Sequence, residues 1–257
     1  MSALTLALIQ TDIRWHDAAA NRDLFDAHFD QVPSAADVVV LPEMFSTGFT
    51  MATGEVAESM DGPTLQWLAA AARRLDKVVC GSVVIAESAR YWNRFVWMCP
   101  DGSAIYYDKR HLFRMAGEHR HYSAGDKRVV VELNGWRINP MVCYDLRFPV
   151  WMRNRGDYDV SLIVANWPAA RQIAWNALLR ARAVENQCYT VGVNRVGSDG
   201  NGLTYRGGSA VYDFSGAAQL EVFDQVGVLS VRLDRAALEQ QRQVFPAAQD
   251  ADPFEIK

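Results

Sequence analysis

The stretch AADVVVLPEMF, residues 35–45, reads as a short apolar strand with an acid in front and a proline turn behind. DYDVSLIVANWP, residues 157–168, has the same grammar in the other half of the chain. Apolar runs of this length between turn signals fit strands covered on both faces. Working outward, Ala20, Leu24, Phe25 and Phe29 carry helical spacing across 17–31. Trp67, Leu68, Ala71 and Leu75 do so across 64–75, behind the start signal Gly62-Pro63. A longer helix spans 172–186. Strands are predicted at 3–10, 77–86, 92–98, 103–107, 128–133, 136–142 and 188–195, with three more over 208–233 and a last short helix. Pro100-Asp101-Gly102 and Asn134-Gly135 are hairpin turns. Helices flank strands in order in each half. The expected fold is therefore α/β: a four-layer αββα sandwich, with two mixed sheets face to face and helices on the outer faces. No Pro-, Gly- or Ser-rich linker divides residues 1–257, which are expected to form a single domain.

Composition narrows the function. Half of the 257 residues are hydrophobic and 22% are charged, enough for a large core. The net charge of −4 provides no basic field for nucleic acid and no polybasic segment for a membrane. The first residues read as a strand, not a signal peptide, and no window approaches a membrane span. Cys80, Cys99, Cys143 and Cys188 form no CxxC pair and no zinc-spaced cluster. A cytoplasmic protein with a small-molecule or protein partner, and no zinc-type metal site, is the expectation. GSDGNG lacks the Lys and the context of a phosphate loop, and no GxSxG serine elbow occurs.

Three polar residues follow strand ends, where α/β sheets gather their ligand sites. Glu43 follows DVVVLP, Lys109 follows AIYYD, and Cys143 follows INPMV. A buried carboxyl at Glu43 could accept and return a proton; the bland alternative is a helix cap or an Arg partner. An ammonium at Lys109 would favour a neighbouring thiolate and hold an oxyanion, or else simply pair with Asp108 or a nearby Glu. Cys80, Cys99 and Cys188 sit in strand-like runs and read as inert, whereas Cys143 lies at a strand-to-helix turn closed by Pro149. Residues 111–127 lack periodicity and are rich in His, Arg and Gly, the profile of a functional loop.

Taken together, LPEMFSTGF, YYDKRHLF and CYDLRFP, in this order, closely resemble the nitrilase, or carbon–nitrogen hydrolase, superfamily. The resemblance runs from the first strand to GGSAVYDFSG and VGVLSVRLD, and includes ARAVENQCY at the join of helix and strand. It implies a catalytic triad of Glu43, Lys109 and Cys143, a second glutamate at Glu118 in MAGEHRHY, the αββα fold, no metal or organic cofactor, and a homodimer paired through outer helices. The C-terminal tail, about 244–257, would pack at that interface. YDKRHLFRMAGEHRHYSAG, VCYDLRFPVWMRN, ANWPAAR and NRVGSDGNG are similar to bacterial omega-amidases, which implies a dicarboxylic acid monoamide such as 2-oxoglutaramate as substrate. N-carbamoyl amines and nitriles are alternative substrates for the same triad, and an inactive scaffold is a further alternative. The backbone N–H of Tyr144 and the Lys109 ammonium would form the oxyanion hole. Arg147 is the candidate for gripping a substrate carboxylate, against the alternative of an ion pair with Asp145; Arg171 is a second candidate. Phe45 and Trp167 follow strand ends and are expected to wall the pocket.

Overall fold

The computed structural model describes residues 3–256. In chain order the elements are β1 (Leu4–Gln10), α1 (Ala18–Phe29), β2 (Val38–Val40), α2 (Thr53–Val56), α3 (Pro63–Leu75), β3 (Val78–Glu87), β4 (Arg90–Met98) and β5 (Ala104–Asp108). The second half holds β6 (Val131–Leu133), β7 (Trp136–Val142), α4 (Pro149–Met152), β8 (Val160–Ala165), α5 (Gln172–Asn186), β9 (Tyr189–Asn194), β10 (Val196–Ser198), β11 (Thr204–Tyr212), β12 (Ala218–Phe223), β13 (Gly227–Leu233) and α6 (Arg235–Val244). One sheet runs β13-β1-β2-β3-β4-β5; the other runs β10-β11-β9-β8-β7-β6, with β12 beside β11. β1, β2 and β3 are mutually parallel neighbours, as are β7, β8 and β9. The expected αββα sandwich of two mixed sheets is thus the observed fold.

Alternation along each strand builds the layers. Val38 and Val40 join the cluster between the sheets, where Ile138, Val142, Leu162 and Val164 meet them. Val39 and Leu41 point the other way and pack under α1 and α3, against Phe25, Phe29, Leu65 and Leu68. Gly62 starts α3 and Pro63 occupies its first turn, where a missing N–H costs nothing.

The echo in sequence is an echo in structure. Asp37 and Asp159 each donate a backbone N–H to the preceding parallel strand, at Thr5 and Arg137, both at 2.8 Å. Each acid's Oδ2 then accepts a backbone N–H from that same strand residue, Thr5 at 2.8 Å and Arg137 at 3.1 Å. Each half is a βαβαβ unit with such a strand at its centre.

Several elements differ from the sequence reading, among them α2, which it does not contain. β6 begins at Val131 because only its last three residues reach β7; Arg128 instead stretches out to pair with Asp157 at 2.7 Å. The helix after Pro149 is a single turn ending at Met152. The 197–202 loop begins as the end of β10, held by Tyr205 and Thr204 across the hairpin.

Candidate active site

Glu43, Lys109 and Cys143 come together at the strand ends, as expected from their placement. Glu43, Lys109 and Glu118 are at most 1% exposed. The Lys109 ammonium donates to Glu43 Oε1 at 2.9 Å and to both Glu118 oxygens at 3.0 Å. Its partners are these two carboxylates, not Asp108, which is taken by Arg94 at 2.7 Å. The Phe49 ring lies 5.2 Å from Nζ. Burial alone would push Lys109 down, but Glu118 and Glu43 outweigh it and hold the group charged, above its ordinary range.

Cys143 sits at the head of a 3-10 turn over 143–147 with φ of 44°, a left-handed conformation that a non-glycine residue keeps only when its surroundings demand it. Asp145 supplies that demand. Its fully buried carboxylate accepts from Val142 N at 3.1 Å, Tyr107 Oη at 2.7 Å, His111 N at 2.9 Å and His111 Nδ1 at 2.8 Å. One carboxylate thereby ties the strand that ends at Cys143 to the loop that follows Lys109.

Burial, and then the neighbouring Glu43 carboxylate, push the Cys143 thiol well above its ordinary value; Lys109 opposes and does not prevail. The Lys109 charge is shared between two carboxylates, which limits how far it offsets burial at Cys143. Burial also raises Glu118; Lys109 pulls it back and Glu43 adds to the rise.

Asn166 and Asn93 complete the frame. Asn166 N donates to Glu43 Oε2 at 2.8 Å, and its side-chain amide donates to the Glu43 carbonyl at 2.5 Å. Asn93 Nδ2 donates to Glu43 Oε1 at 2.8 Å and to Glu118 Oε1 at 3.3 Å. Asn166 follows the end of β8 and so obeys the strand-end rule that found Glu43. Asn93 lies within β4, among strand residues that carry no signal in sequence.

A cavity of about 370 Å³ opens onto Cys143 and Lys109. Trp167, Arg147 and Arg171 line it, in agreement with expectation, together with Phe49, Phe113 and Leu203. Phe45 does not. Met44 takes φ of 41° and turns the chain, so Phe45 is fully buried in the helix layer, edge-on to Phe25 at 5.5 Å and beside Trp67 at 5.9 Å. Phe49, four residues on, is the aromatic wall that Phe45 was expected to be. Arg147 does not pair with Asp145, whose oxygens are taken; its guanidinium lies 4.9 Å from the Trp167 ring centre.

The carbon–nitrogen hydrolase family model matches residues 5–243. Over the whole of both chains, the protein is 48% identical to omega-amidase YafV of Escherichia coli strain K12. It is 31% identical to the 2-oxoglutaramate amidase of Bacillus subtilis strain 168, over 96% of each chain. The crystal structure of XC1258 from Xanthomonas campestris, a CN-hydrolase superfamily protein with an arsenic adduct in its active site, superposes with a TM-score of 0.98 at 49% identity and full coverage of both chains. With the strand-end placement of Glu43, Lys109 and Cys143, these likenesses give one result: the chain belongs to the carbon–nitrogen hydrolase family.

Proposed function

We propose that the protein is an omega-amidase, hydrolysing the distal amide of 2-oxoglutaramate, 2-oxosuccinamate or a related dicarboxylic acid monoamide to the acid and ammonia. The observation that carries this reading is a thiol beside a buried carboxylate and a fixed ammonium, in a cavity whose wall holds guanidinium groups. Full-length likeness to proteins named omega-amidase and 2-oxoglutaramate amidase supports it.

Cys143 is the nucleophile. Glu43 takes the thiol proton as Sγ bonds to the amide carbon, and the oxygen's developing charge is held by Lys109 and the Tyr144 N–H. Glu43 returns the proton to the nitrogen, the C–N bond breaks and ammonia leaves a thioester. A water then attacks that carbon and gives its proton to Glu43. The C–S bond breaks, the acid departs and Cys143 recovers its proton. One carboxyl thus serves as base and acid in turn. Glu118 positions Lys109, and Phe113 N donates to Glu118 at 2.5 Å to hold it there. Arg147 binds the substrate's far carboxylate.

Residues 1–257 act as one hydrolase unit that pairs into a homodimer, with the tail near 244–257 at the interface. Val150 on α4 and Ile173 and Val184 on α5, all exposed, support pairing through this outer layer. Sedimentation of the purified protein tests it. Among the described residues all four cysteines are free, and no helix is long and apolar enough to cross a membrane, which suits a cytoplasmic setting.

Ammonia release from 2-oxoglutaramate, succinamate, glutamine, asparagine, an N-carbamoyl amino acid and an aliphatic nitrile tests the activity. Release from the first two and not from glutamine is expected, with Cys143→Ala folded and inactive. Release from only the carbamoyl compound or the nitrile would retain the thiol chemistry and overturn the substrate.

A further inference from the structure

Cys143 and Lys109 are delivered by different sheets, and one buried side chain joins the two deliveries. Cys143 and Tyr144 follow β7 in one sheet; Lys109 follows β5, at the edge of the other. The fully buried Asp145 carboxylate reaches from the first segment to the second. Its Oδ2 accepts from Tyr107 Oη at 2.7 Å, two residues before Lys109. Its Oδ1 accepts from His111 N at 2.9 Å and His111 Nδ1 at 2.8 Å, two residues after Lys109. On its own side Oδ2 also accepts from Val142 N at 3.1 Å.

The partners of Asp145 are held in turn. Trp151 Nε1 donates to Tyr107 Oη at 3.0 Å, and Arg110 N does so at 3.2 Å. Burial, and then the Asp145 charge, push the Tyr107 phenol well above its ordinary value, so it stays a donor. The His111 ring stacks on Phe148 at 3.8 Å, and Phe148 N donates to the Asp145 carbonyl at 2.9 Å. The backbone of Lys109 is bonded to Asn93 O at 3.0 Å and Gly125 N at 2.9 Å, neither of which sets it against the Cys143 turn. Burying a carboxylate costs more than burying an apolar group of the same size, so stability alone is a poor reason for this one.

We infer that Asp145 is a positioning residue for the oxyanion hole: it sets the Tyr144 N–H, one residue before it, and the Lys109 ammonium, which it braces from both sides, at one fixed separation. The role rests on the thiol mechanism proposed above. Asp145 does not line the cavity and acts only through its neighbours. Two donors placed in advance meet the carbonyl oxygen best where its charge develops, so the gain falls on the tetrahedral intermediate and not on the bound amide.

Tyr107→Phe removes the brace before Lys109 and leaves Asp145 bonded to Val142 and His111. Asp145→Asn sets an N–H group against those donors. Three quantities are measured on both variants and on wild type. The first is kcat and KM for succinamate. The second is inhibition by succinic semialdehyde, whose aldehyde carbon bonds Sγ while its oxygen takes the thiol proton and occupies the same hole. The third is alkylation of Cys143 by iodoacetamide, which builds no charge on an oxygen in that hole. kcat should fall about 100-fold in Asp145→Asn, the scale of one oxyanion donor, and about 10-fold in Tyr107→Phe. KM and the alkylation rate should stay within about threefold of wild type, while semialdehyde inhibition weakens in step with kcat/KM. Tyr107→Phe decides alone if Asp145→Asn does not fold. Unchanged semialdehyde inhibition, or alkylation that falls as far as kcat, overturns the positioning role, because Asp145 then acts on the thiol or on the fold. A wild type that forms the semialdehyde adduct but hydrolyses no monoamide overturns the amidase reading, and the adduct then decides the role of Asp145 by itself. A wild type that forms no adduct overturns both.

Discussion

The two βαβαβ halves share one scaffold and differ in what they deliver at the strand ends. β2 leads to Glu43 and β8 to Asn166, and the two meet, with Asn166 donating to both the carboxylate and the carbonyl of Glu43. In each half the next strand over caps the turn: Ser82 Oγ accepts Met44 N, and Asn194 Oδ1 accepts Trp167 N, both at 2.8 Å. The first parallel strands diverge furthest. β7 ends in Cys143, whereas β1 ends in Gln10, whose amide donates to the Gln225 carbonyl at 2.9 Å and accepts from Ser209 N at 3.0 Å. One half thus presents Glu43, the proposed base, and the other Cys143, the proposed nucleophile, and the equivalent positions are spent on holding the halves together. Chemistry here needs only a few strand ends to depart from a structural pattern.

The largest expected effect comes from neutralising Glu43, the proposed base. Glu43→Gln keeps the shape but removes the proton acceptor, so kcat should fall by about 10²- to 10⁴-fold. The same change removes a negative charge that raises the Cys143 thiol. Iodoacetamide alkylation of Cys143 should therefore shift to lower pH while turnover is lost. An unmoved alkylation profile would refute the contribution of the Glu43 charge to the raised thiol.

Asp159 and Asp37 make the second contrast. They occupy matching positions, but Asp159 is buried and takes Arg137 and Arg242, both at 2.8 Å, with Arg235 at 3.5 Å. Asp37 accepts from Thr5 N and the Asn134 amide. Burial works to raise the Asp159 carboxyl, and hydrogen bonds from Arg137 and Arg242 overcome it and hold the group at about 2. A carboxyl held below its unfolded value contributes stability that is complete above the unfolded pKa and is lost as pH falls towards 2. Asp159→Asn should cost about 2 kcal/mol near neutral pH. The deficit should shrink in urea melts taken from pH 5 downward. Asp37→Asn should cost less; an equal cost would mean that the arginine cluster adds nothing to the second half.

The smallest effect is at the caps. Ser82→Ala leaves Met44 N without its acceptor and should cost about 1 kcal/mol with little change in kcat. Asn194→Ala should cost more, because its amide also donates to the Trp167 carbonyl at 3.0 Å and the Gly207 carbonyl at 2.7 Å. A reversal of that order in chemical denaturation would show that the equivalence of the two turns is geometric only.

Part of this site was legible in sequence because Glu43 and Cys143 follow buried strands whose ends converge in parallel pairing, whereas Lys109 follows β5, an antiparallel edge strand. Phe45 was misplaced for a reason as local as the one that placed Glu43: the positive φ at Met44 reverses the chain, and no residue type announces it. Asn93 was invisible because a polar residue inside a strand can face solvent, a neighbour or a site, and alternation alone does not choose among them. The rise of the Cys143 thiol comes first from burial and then from the Glu43 carboxylate, neither of which spacing reveals.

Local sequence dictates the strands, the helices and the strand-end positions of Glu43, Lys109 and Cys143, since hydrophobic period and turn chemistry act over a few residues. Pairing across 123 residues between Asn166 and Glu43 belongs to tertiary structure. So do the capture of Lys109 by Glu43 and Glu118, and the placing of Arg147 and Arg171 on one cavity wall. These depend on which sheet faces which, and on the charges that burial forces into contact.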